Sequence, residues 1–209
     1  MEEYPENQKI GGWQNVRDRK NALREDYRRR RLEFTENAEL KSAADLAVVG
    51  KIASLTSYRY AADILFYYPK ADEINLLPLA EKALADGKNV YFPKVFAAGV
   101  MEYRQVTELT SQFTDGVFGL REPKDGCPVL DKSIPRGSVL MIIPALSVDR
   151  DGYRLGYGKG YYDRYLSDFS ATAVTVVYHD LLADRLPRGR YDKKADLVVT
   201  EKKIIYLQK

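Results

Sequence analysis

Residues 138–178 read SVLMIIPALSVDRDGYRLGYGKGYYDRYLSDFSATAVTVVY. Residues 138–146 are continuously apolar and predict a buried strand, and residues 172–178 predict a second one. Between them lie a polar, glycine-rich loop over 147–160 and a short segment, 161–169, whose apolar spacing predicts a helix. These elements form a βαβ unit, and open α/β sheets bind ligands at the carboxyl end of such a first strand.

The segments on either side of this unit extend the same α/β pattern. Apolar spacing predicts two N-terminal helices, and shorter apolar runs predict further strands before and after the unit. A helix with acidic residues in its first turn is predicted over 72–86, and residues 107–136 are rich in turns. The predicted helices are 16–34 and 37–56, and the predicted strands are 62–68, 90–95, 101–106, 196–200 and 204–207. We therefore expect a single α/β domain over 16–209, preceded by a flexible tail over 1–15.

The composition limits the classes of protein to consider. The chain has 209 residues, of which 45% are hydrophobic, and a formal net charge of +3. No run of about 18 apolar residues is present, so we expect a cytoplasmic protein with no membrane partner. The single Cys127 and single His179 exclude an internal disulfide, a thiolate zinc cluster and a multi-histidine metal site. Any metal should therefore be a hard ion held by oxygen.

Residues 154–163, RLGYGKGYYD, have the composition of a phosphate-binding loop. Glycines at 156, 158 and 160 allow backbone N–H groups to turn toward an anion, and Lys159 adds a positive charge. The loop matches neither the Walker pattern nor the dinucleotide pattern G-x-G-x-x-G, because the required glycines are missing from both. The alternative is a purely structural glycine turn between strand and helix.

Positive charge is concentrated at residues 17–31, where eight basic residues stand against three acidic ones. The run Arg28–Arg31 is most simply a solvated helix face, and a nucleic-acid patch is the sharper alternative. Lys20 and Arg24 are four residues apart, so they share one helical face and could bind the same phosphate chain.

Three carboxylates each allow a structural and a functional interpretation. Asp163 lies at a predicted helix start, where the dipole favours an acid, but its place after the loop equally suits a Mg²⁺ ligand. Asp192 is a second possible Mg²⁺ ligand or an ordinary turn aspartate. Glu73 either complements a helix N-terminus or accepts hydrogen bonds from a nitrogen-rich heterocycle.

The segment DGYRLGYGKGYYDRYL, residues 151–166, resembles the signature of the 5-formyltetrahydrofolate cyclo-ligases, also called methenyltetrahydrofolate synthetases. Other family motifs follow in the family's order between Lys20 and Glu201: Lys20-x-x-Leu23-Arg24, Asp72-Glu73-Ile74, Gly87-Lys88-x-Val90-x-x-Pro93, Glu122-Pro123 and Leu186-Pro187 to Asp192. The chain departs from the family at Ala145, Val148 and Leu181, where a glycine, an aromatic residue and a glutamine are usual. The change at Leu181 puts one polar contact to the ligand in doubt.

The resemblance implies a three-layer, Rossmann-like fold with a central, mostly parallel sheet and N-terminal helices. It implies ATP- and Mg²⁺-dependent conversion of 5-formyltetrahydrofolate to 5,10-methenyltetrahydrofolate, with release of ADP and phosphate. By position, the magnesium ligands would be Asp163 and Asp192, and the folate would contact Tyr68, Glu73 and Tyr157. Lys159, Arg154 and Tyr162 would be catalytic. ATP would contact Lys20, Asn21, Ala22, Leu23, Arg24, Arg154, Leu155, Gly156, Tyr157, Gly158, Lys159, Gly160, Tyr161 and Tyr162.

This chemistry needs no protein nucleophile, which suits a chain with one cysteine and one histidine. Two other classes remain as alternatives. One is an enzyme related to sugar-phosphate isomerases or acyl-CoA transferases, which would not depend on ATP. The other is a nucleotide-regulated RNA-binding protein, whose RNA affinity would fall steeply with salt. For the cyclo-ligase interpretation we expect a reduced folate as the partner, no nucleic acid and a monomer.

Overall fold

A seven-stranded sheet forms the centre of the computed structural model, which describes residues 8–96, 99–116, 119–134 and 137–207, with side chains from residue 15 onward. Numbered along the chain and given in their order across the sheet, the strands are β12 (Ile204–Tyr206), β11 (Leu197–Val199), β9 (Thr172–Val176), β6 (Val139–Pro144), β1 (Asp63–Leu65), β2 (Asn89–Val95) and β3 (Met101–Val106).

The five central strands are parallel, and the two edge strands β12 and β3 run antiparallel to their neighbours. From β1 the chain first adds β2 on one side and later places β6 on the other side. The strand order therefore reverses between β1 and β6. In open α/β sheets a crevice forms at the carboxyl ends of the strands at such a reversal, so the topology alone indicates where a ligand would bind.

In the described ranges five α-helices flank the sheet: α1 (Gln8–Thr35), α2 (Ala38–Ser54), α3 (Thr56–Tyr60), α4 (Leu77–Ala85) and α5 (Tyr161–Tyr165). Alternate residues of each strand point to opposite faces. Leu140 and Ile142 pack in one core with residues of α1, α2 and α4, whereas Met141 and Ile143 pack in a second core with Tyr165 of α5. The predicted mostly parallel α/β fold with N-terminal helices is thus confirmed.

Two small sheets lie beside the main one. Strands β4 (Phe113–Asp115) and β5 (Arg121–Pro123) form a hairpin within the region predicted as turns. The predicted loop 147–160 contains β7 (Ser147–Asp149) and β8 (Arg154–Leu155), which pair with each other, and β7 also pairs with β10 (Leu182–Ala183). The β7–β8 turn forms because the Asp149 carboxylate accepts hydrogen bonds from the N–H groups of residues 151 and 153.

The ends of several elements differ from the sequence prediction. Helix α1 begins at Gln8, so the part of the expected tail from residue 8 to 15 is helical, and residues 1–7 lie outside the described residues. Helix α4 begins at Leu77 rather than at 72, with Pro78 in its first turn. Proline fits the start of a helix because it lacks the N–H that would be unsatisfied there. The predicted helix 161–169 ends at Tyr165.

None of the helices in the described ranges is long and apolar enough to cross a membrane.

A matched pair of leucine substitutions tests the position of the core. Leu140 on β6 is fully buried, whereas Leu46 on α2 is 61% exposed. We expect Leu140→Ala to lower the free energy of unfolding by about 2–5 kcal/mol, because it removes buried methyl groups and leaves a cavity. Leu46→Ala should change it by less than about 0.5 kcal/mol. Urea denaturation of both variants measures the difference, and equal effects would contradict the assigned packing.

Candidate active site

A cleft of about 420 Å³ opens beyond the carboxyl ends of β1 and β6, at the reversal of strand order. Five parts of the chain contribute to it: one face of α1, the segment after β1, the β2–β3 and β5 edge, the glycine loop and the turn at Asp192. The lining residues are Lys20, Arg24, Arg28, Tyr67, Tyr68, Lys70, Glu73, Pro93, Val95, Met101, Leu120, Arg121, Glu122, Pro144, Arg154, Gly156, Tyr157, Gly158, Lys159, Gly160, Tyr161, Tyr162, Asp163 and Asp192.

Most of the site residues expected from the sequence therefore meet in this one cleft. Four members of the expected ATP set do not line it. Leu155 is buried in the core, Leu23 packs against the same core, and Ala22 is exposed. Asn21 instead accepts a hydrogen bond from Arg24, with 2.7 Å between Oδ1 and Nη1, and so orients a residue that does line the cleft.

Leu181, where the family usually has glutamine, also lies away from the cleft lining. Its side chain is 2% exposed and packs in the main core, next to β10. Its carbonyl accepts a hydrogen bond from the Ser147 hydroxyl at 2.6 Å. The leucine at this position therefore has a packing role in this chain.

Helix α1 presents a row of three cations to the cleft, Lys20, Arg24 and Arg28, and Arg31 continues the row as a buried residue behind the lining. Positions 20, 24, 28 and 31 recur at the spacing of one helical face. Lys20 forms an ion pair with Asp192, and Arg24 donates from Nε to the Gly156 carbonyl at 2.8 Å. Burial, and next the neighbouring Arg28, lower the pKa of Arg24 from its ordinary value. The charge repulsion between these two cations makes this face of α1 a favourable place for an anion.

The glycine loop has the backbone conformation that its composition suggests. Gly158 and Gly160 have φ values of +93° and +67°, which side chains with a Cβ rarely adopt. A Cβ at residue 158 would also lie 3.1 Å from Cζ of Arg24. Gly160 immediately precedes α5, which is only five residues long. The loop backbone and the α1 cations, rather than a long helix dipole, therefore provide the positive potential here.

Arg31 connects three parts of the site. Its guanidinium is 3% exposed and donates to the Asp72 carboxylate, with 2.9 Å between Nε and Oδ2. It also donates to the Tyr157 hydroxyl at 2.7 Å, and that hydroxyl donates in turn to Glu73. Burial, and next the charge of Glu73, raise the pKa of Tyr157 well above its usual value. The Tyr157 hydroxyl therefore stays protonated and donates a hydrogen bond to Glu73.

The prediction of a solvated face for the whole run Arg28–Arg31 was wrong for Arg31, which is buried. Arg29 fits the prediction, since it is exposed and pairs with Asp26 and Glu33 on its own helix. Arg28 lies over the Tyr157 ring, with 5.6 Å from Cζ to the ring centroid. These arginines differ only in their position on the helix, and that position determines which of them contact the site.

The sequence had suggested that Glu73 lies at a helix start. In the structure it lies in a turn before α4. Its Oε2 accepts from the Lys70 N–H at 2.9 Å, and the Tyr67 hydroxyl fastens the same turn to the Ile74 carbonyl at 2.6 Å. Glu73 is 5% exposed and lines the cleft. Complementing a helix N-terminus therefore does not explain it, and accepting hydrogen bonds from a ligand does fit its position.

Asp163 and Asp192, the two expected magnesium ligands, line the same cleft. Asp163 accepts at Oδ1 from Arg154 at 2.6 Å and from the Lys193 N–H at 2.9 Å. Asp192 pairs with Lys20 and accepts from the Gly189 N–H at 2.7 Å. Within the described residues no group of three or more acidic, histidine or cysteine side chains is placed to hold a metal. Two carboxylates still fit Mg²⁺, which usually takes one or two together with phosphate oxygens and water.

Glu122 of β5 is a cleft residue that the sequence analysis did not single out as functional. Its side chain is 3% exposed, and its Oε1 accepts from the Val95 N–H at 3.2 Å. Burial raises the pKa of its carboxyl group from the ordinary value. The only sequence signal was the dipeptide Glu122-Pro123, and its burial depends on the β4–β5 hairpin, which was not predicted.

Residues 16–201 match the 5-formyltetrahydrofolate cyclo-ligase family. The chain belongs to this family. It is therefore an enzyme, a ligase, as the sequence motifs had indicated.

Individual cyclo-ligases align over most of the chain. A probable 5-formyltetrahydrofolate cyclo-ligase of Schizosaccharomyces pombe is 29% identical over 176 residues, which are 77% of this chain and 85% of the relative. The enzyme of Mycolicibacterium smegmatis is 35% identical over 147 residues, covering 66% and 72%. The solution structure of Aquifex aeolicus 5,10-methenyltetrahydrofolate synthetase superposes with a TM-score of 0.77 at 29% identity, covering 91% and 93%.

Substituting the buried and the exposed arginine of α1 tests the network in this cyclo-ligase. Arg31→Leu leaves two carboxylates and a tyrosine hydroxyl without their shared donor, so we expect the free energy of unfolding to fall by about 3–5 kcal/mol. Arg29→Leu removes an exposed cation and should change it little. Urea denaturation distinguishes the two. Similar, small effects of both substitutions would show that Arg31 is not the buried connection described above.

The raised pKa of Glu122 predicts a pH-dependent effect on stability. As the pH rises above the ordinary glutamate value of 4.5, the unfolded chain ionises Glu122 before the folded protein does, and the folded state loses stability. Glu122→Gln removes this loss. We expect its Tm to exceed that of the parent enzyme at about pH 8, with the difference shrinking at about pH 4. Glu81→Gln, on the exposed side of α4, is the control for a general change of charge. A lower Tm for Glu122→Gln at about pH 8 would contradict the assignment.

Proposed function

We propose that this enzyme converts 5-formyltetrahydrofolate to 5,10-methenyltetrahydrofolate, using ATP and Mg²⁺ and releasing ADP and phosphate. One observation carries the proposal. A glycine-rich loop with a lysine and a row of helix cations face the same 420 Å³ cleft as a buried carboxylate suited to a heterocycle. Both substrates of a cyclo-ligase thus have matching chemistry within reach of each other. Because one chain supplies the entire cleft lining, we further propose that the enzyme acts as a monomer. We also propose that it acts in the cytoplasm.

The basic side of the cleft suits the triphosphate of ATP. Lys20 and Arg24 reach it from α1, and Lys159 reaches it from the glycine loop. Gly156, Gly158 and Gly160 let the loop backbone approach phosphate oxygens closely. Phosphoryl transfer depends mainly on positioning and on stabilising charge, so these groups would hold the γ-phosphoryl group in line with its acceptor.

Asp163 and Asp192 would hold Mg²⁺ beside these phosphates, and the ion, when bound, balances negative charge on them. Arg154 and Lys20 neutralise the two carboxylates in the structure. The donor set is all oxygen and therefore suits a hard cation. Arg154 is 7% exposed, so it would remain beside the site and position Asp163 in any bound state.

The opposite side of the cleft suits a reduced folate. Glu73 accepts from Tyr157 at one oxygen and from the Lys70 N–H at the other, and each carboxylate oxygen can accept a second hydrogen bond. These remaining acceptor positions match the N–H groups of a nitrogen-rich ring. Tyr68 packs against Phe92 and Phe113, with 5.0 Å between the ring centroids of Tyr68 and Phe113, and offers an aromatic surface.

The reaction follows from bringing the two substrates together. A formamide carbonyl is a poor electrophile, and phosphorylation converts its oxygen into a good leaving group. The neighbouring N10 then attacks the formyl carbon, closes a five-membered ring and expels phosphate. No residue forms a covalent bond to the substrate. The protein contributes orientation and charge stabilisation.

An absorbance assay for methenyltetrahydrofolate tests the proposed reaction. We expect product from the purified enzyme and 5-formyltetrahydrofolate only when both ATP and Mg²⁺ are present, and removal of the metal with EDTA should abolish it. Product formation without ATP would favour a different class of enzyme. Absence of product from folded enzyme under all conditions would refute the proposal.

Lys159→Ala tests the loop cation in the same assay. The lysine would stabilise charge on the transferring phosphoryl group, so we expect kcat/KM to fall by about 100-fold or more, with the Tm nearly unchanged. Lys124→Ala, an exposed lysine outside the cleft lining, should retain parental activity. Near-normal kcat/KM in Lys159→Ala would exclude this role for Lys159.

A further inference from the structure

Ring closure requires a proton acceptor, if the enzyme catalyses the reaction proposed above. N10 of the substrate is a secondary amine that carries one hydrogen, and N10 of the methenyl product carries none. The proton must therefore leave N10 when the new C–N bond forms. A positioned side chain that accepts such a proton typically accelerates the step by about 10²–10⁴-fold.

Four carboxylates line the cleft: Glu73, Glu122, Asp163 and Asp192. Three of them have a side-chain donor as a partner. Glu73 accepts from Tyr157 beside Arg31, Asp163 pairs with Arg154, and Asp192 pairs with Lys20. These three carboxylates are therefore already engaged by side chains of the protein.

Glu122 differs from the other three. Among the described residues it accepts a hydrogen bond from one backbone N–H, that of Val95, and forms no ion pair. Burial without a paired cation favours the protonated form of a carboxyl group. Burial accordingly raises the pKa of the Glu122 carboxyl group from its ordinary value.

The charged groups on the elements around Glu122 are directed elsewhere. The charge of Lys94 on β2 acts on it, but the Lys94 ammonium lies 2.5 Å from an Asp125 oxygen. Arg104 on β3 pairs with Glu102 at 2.6 Å. On its own hairpin, Arg121 lies over the Tyr68 ring at 5.8 Å, and Asp115 on β4 is exposed and opposite Arg121 in the register.

The position of Glu122 also suits the folate rather than the nucleotide. It reaches the cleft from β5, among Val95, Met101 and Leu120, which form an apolar wall. The triphosphate would occupy the opposite, cationic side, formed by α1 and the glycine loop. An apolar wall is where the ring systems of a folate would bind, and N10 lies between two of those rings.

We propose that Glu122 is the base that accepts the N10 proton during ring closure. The N10 lone pair forms the bond to the formyl carbon, and the N10–H electrons remain on nitrogen as the proton passes to a Glu122 oxygen. The carbon–oxygen bond then breaks, and its electron pair leaves with the phosphate. Glu122 returns the proton to this phosphate, so the carboxylate is regenerated and no further reactant is needed.

The test compares kcat, both KM values and the pH profile of Glu122→Gln with those of the parent enzyme. We expect kcat to fall by about 100-fold, with the KM for ATP within about twofold. In the parent, kcat should decline as the pH falls through the raised pKa of Glu122, and this acidic limb should be absent from the variant. Glu102→Gln, which lies outside the cleft lining, is the matched control and should keep the parental profile.

A second variant moves the carboxylate without removing it. A Cβ at Gly116 would collide with Oε2 of Glu122, so Gly116→Ala must displace that group. We expect kcat to fall although Glu122 can still ionise. If Glu122→Gln does not fold, an unchanged kcat in Gly116→Ala would overturn the assignment of Glu122 as the base.

The outcomes separate this proposal from the proposed function. If the parent enzyme forms the methenyl product with ATP and folded Glu122→Gln has a kcat within about threefold of it, only the assignment of the base is wrong. An acidic limb that persists in Glu122→Gln overturns it as well. If the parent itself forms no product, the proposed function fails and this assignment fails with it.

Discussion

The arrangement of the cleft depends on the hydrogen bonds that the buried guanidinium of Arg31 donates to Asp72 and Tyr157. Arginine has donors and no acceptor, so the Tyr157 hydroxyl can only accept from Arg31 and must direct its own hydrogen to Glu73. One side chain of α1 thereby fixes the orientation of a loop tyrosine and of a carboxylate in the turn after β1. Asp72 completes the arrangement by accepting from the same guanidinium. The charge is buried, but each of its partners is polar and within hydrogen-bonding distance.

This connection explains why a long N-terminal helix belongs to the active site of an α/β enzyme. The sheet alone would provide a crevice at the reversal between β1 and β6, lined by loops with their own freedom to move. Helix α1 crosses these loops and contacts Asp192 through Lys20, the glycine loop through Arg24 and the turn at Glu73 through Arg31. Three parts of the cleft lining are thus fixed relative to each other by one rigid element, which favours the proposed transfer between two bound substrates.

Local sequence patterns were sufficient for the sheet and for the basic residues that line the cleft. The strand at 138–146 is continuously apolar because β6 is buried on both faces, and Lys20 and Arg24 could be paired because their spacing is helical. The side of the cleft proposed for the folate depends on contacts between residues far apart in the chain. Neither the burial of Arg31, within a run of four arginines, nor the raised pKa of Glu122 has a local signal. The start of α4 was misplaced because hydrogen bonds of Tyr67 and Glu73 hold residues 70–74 in a turn. The family motifs identified Glu73 as a site residue where periodicity could not.

The central claim is that both substrates bind in one cleft and that phosphate is transferred to the formyl oxygen. Isotope tracing tests it most directly. The enzyme is supplied with ATP, Mg²⁺ and 5-formyltetrahydrofolate labelled with ¹⁸O in the formyl group, and the released inorganic phosphate is analysed by mass spectrometry. We expect one ¹⁸O atom in each phosphate released. Phosphate without the label, formed together with the methenyl product, would contradict the account.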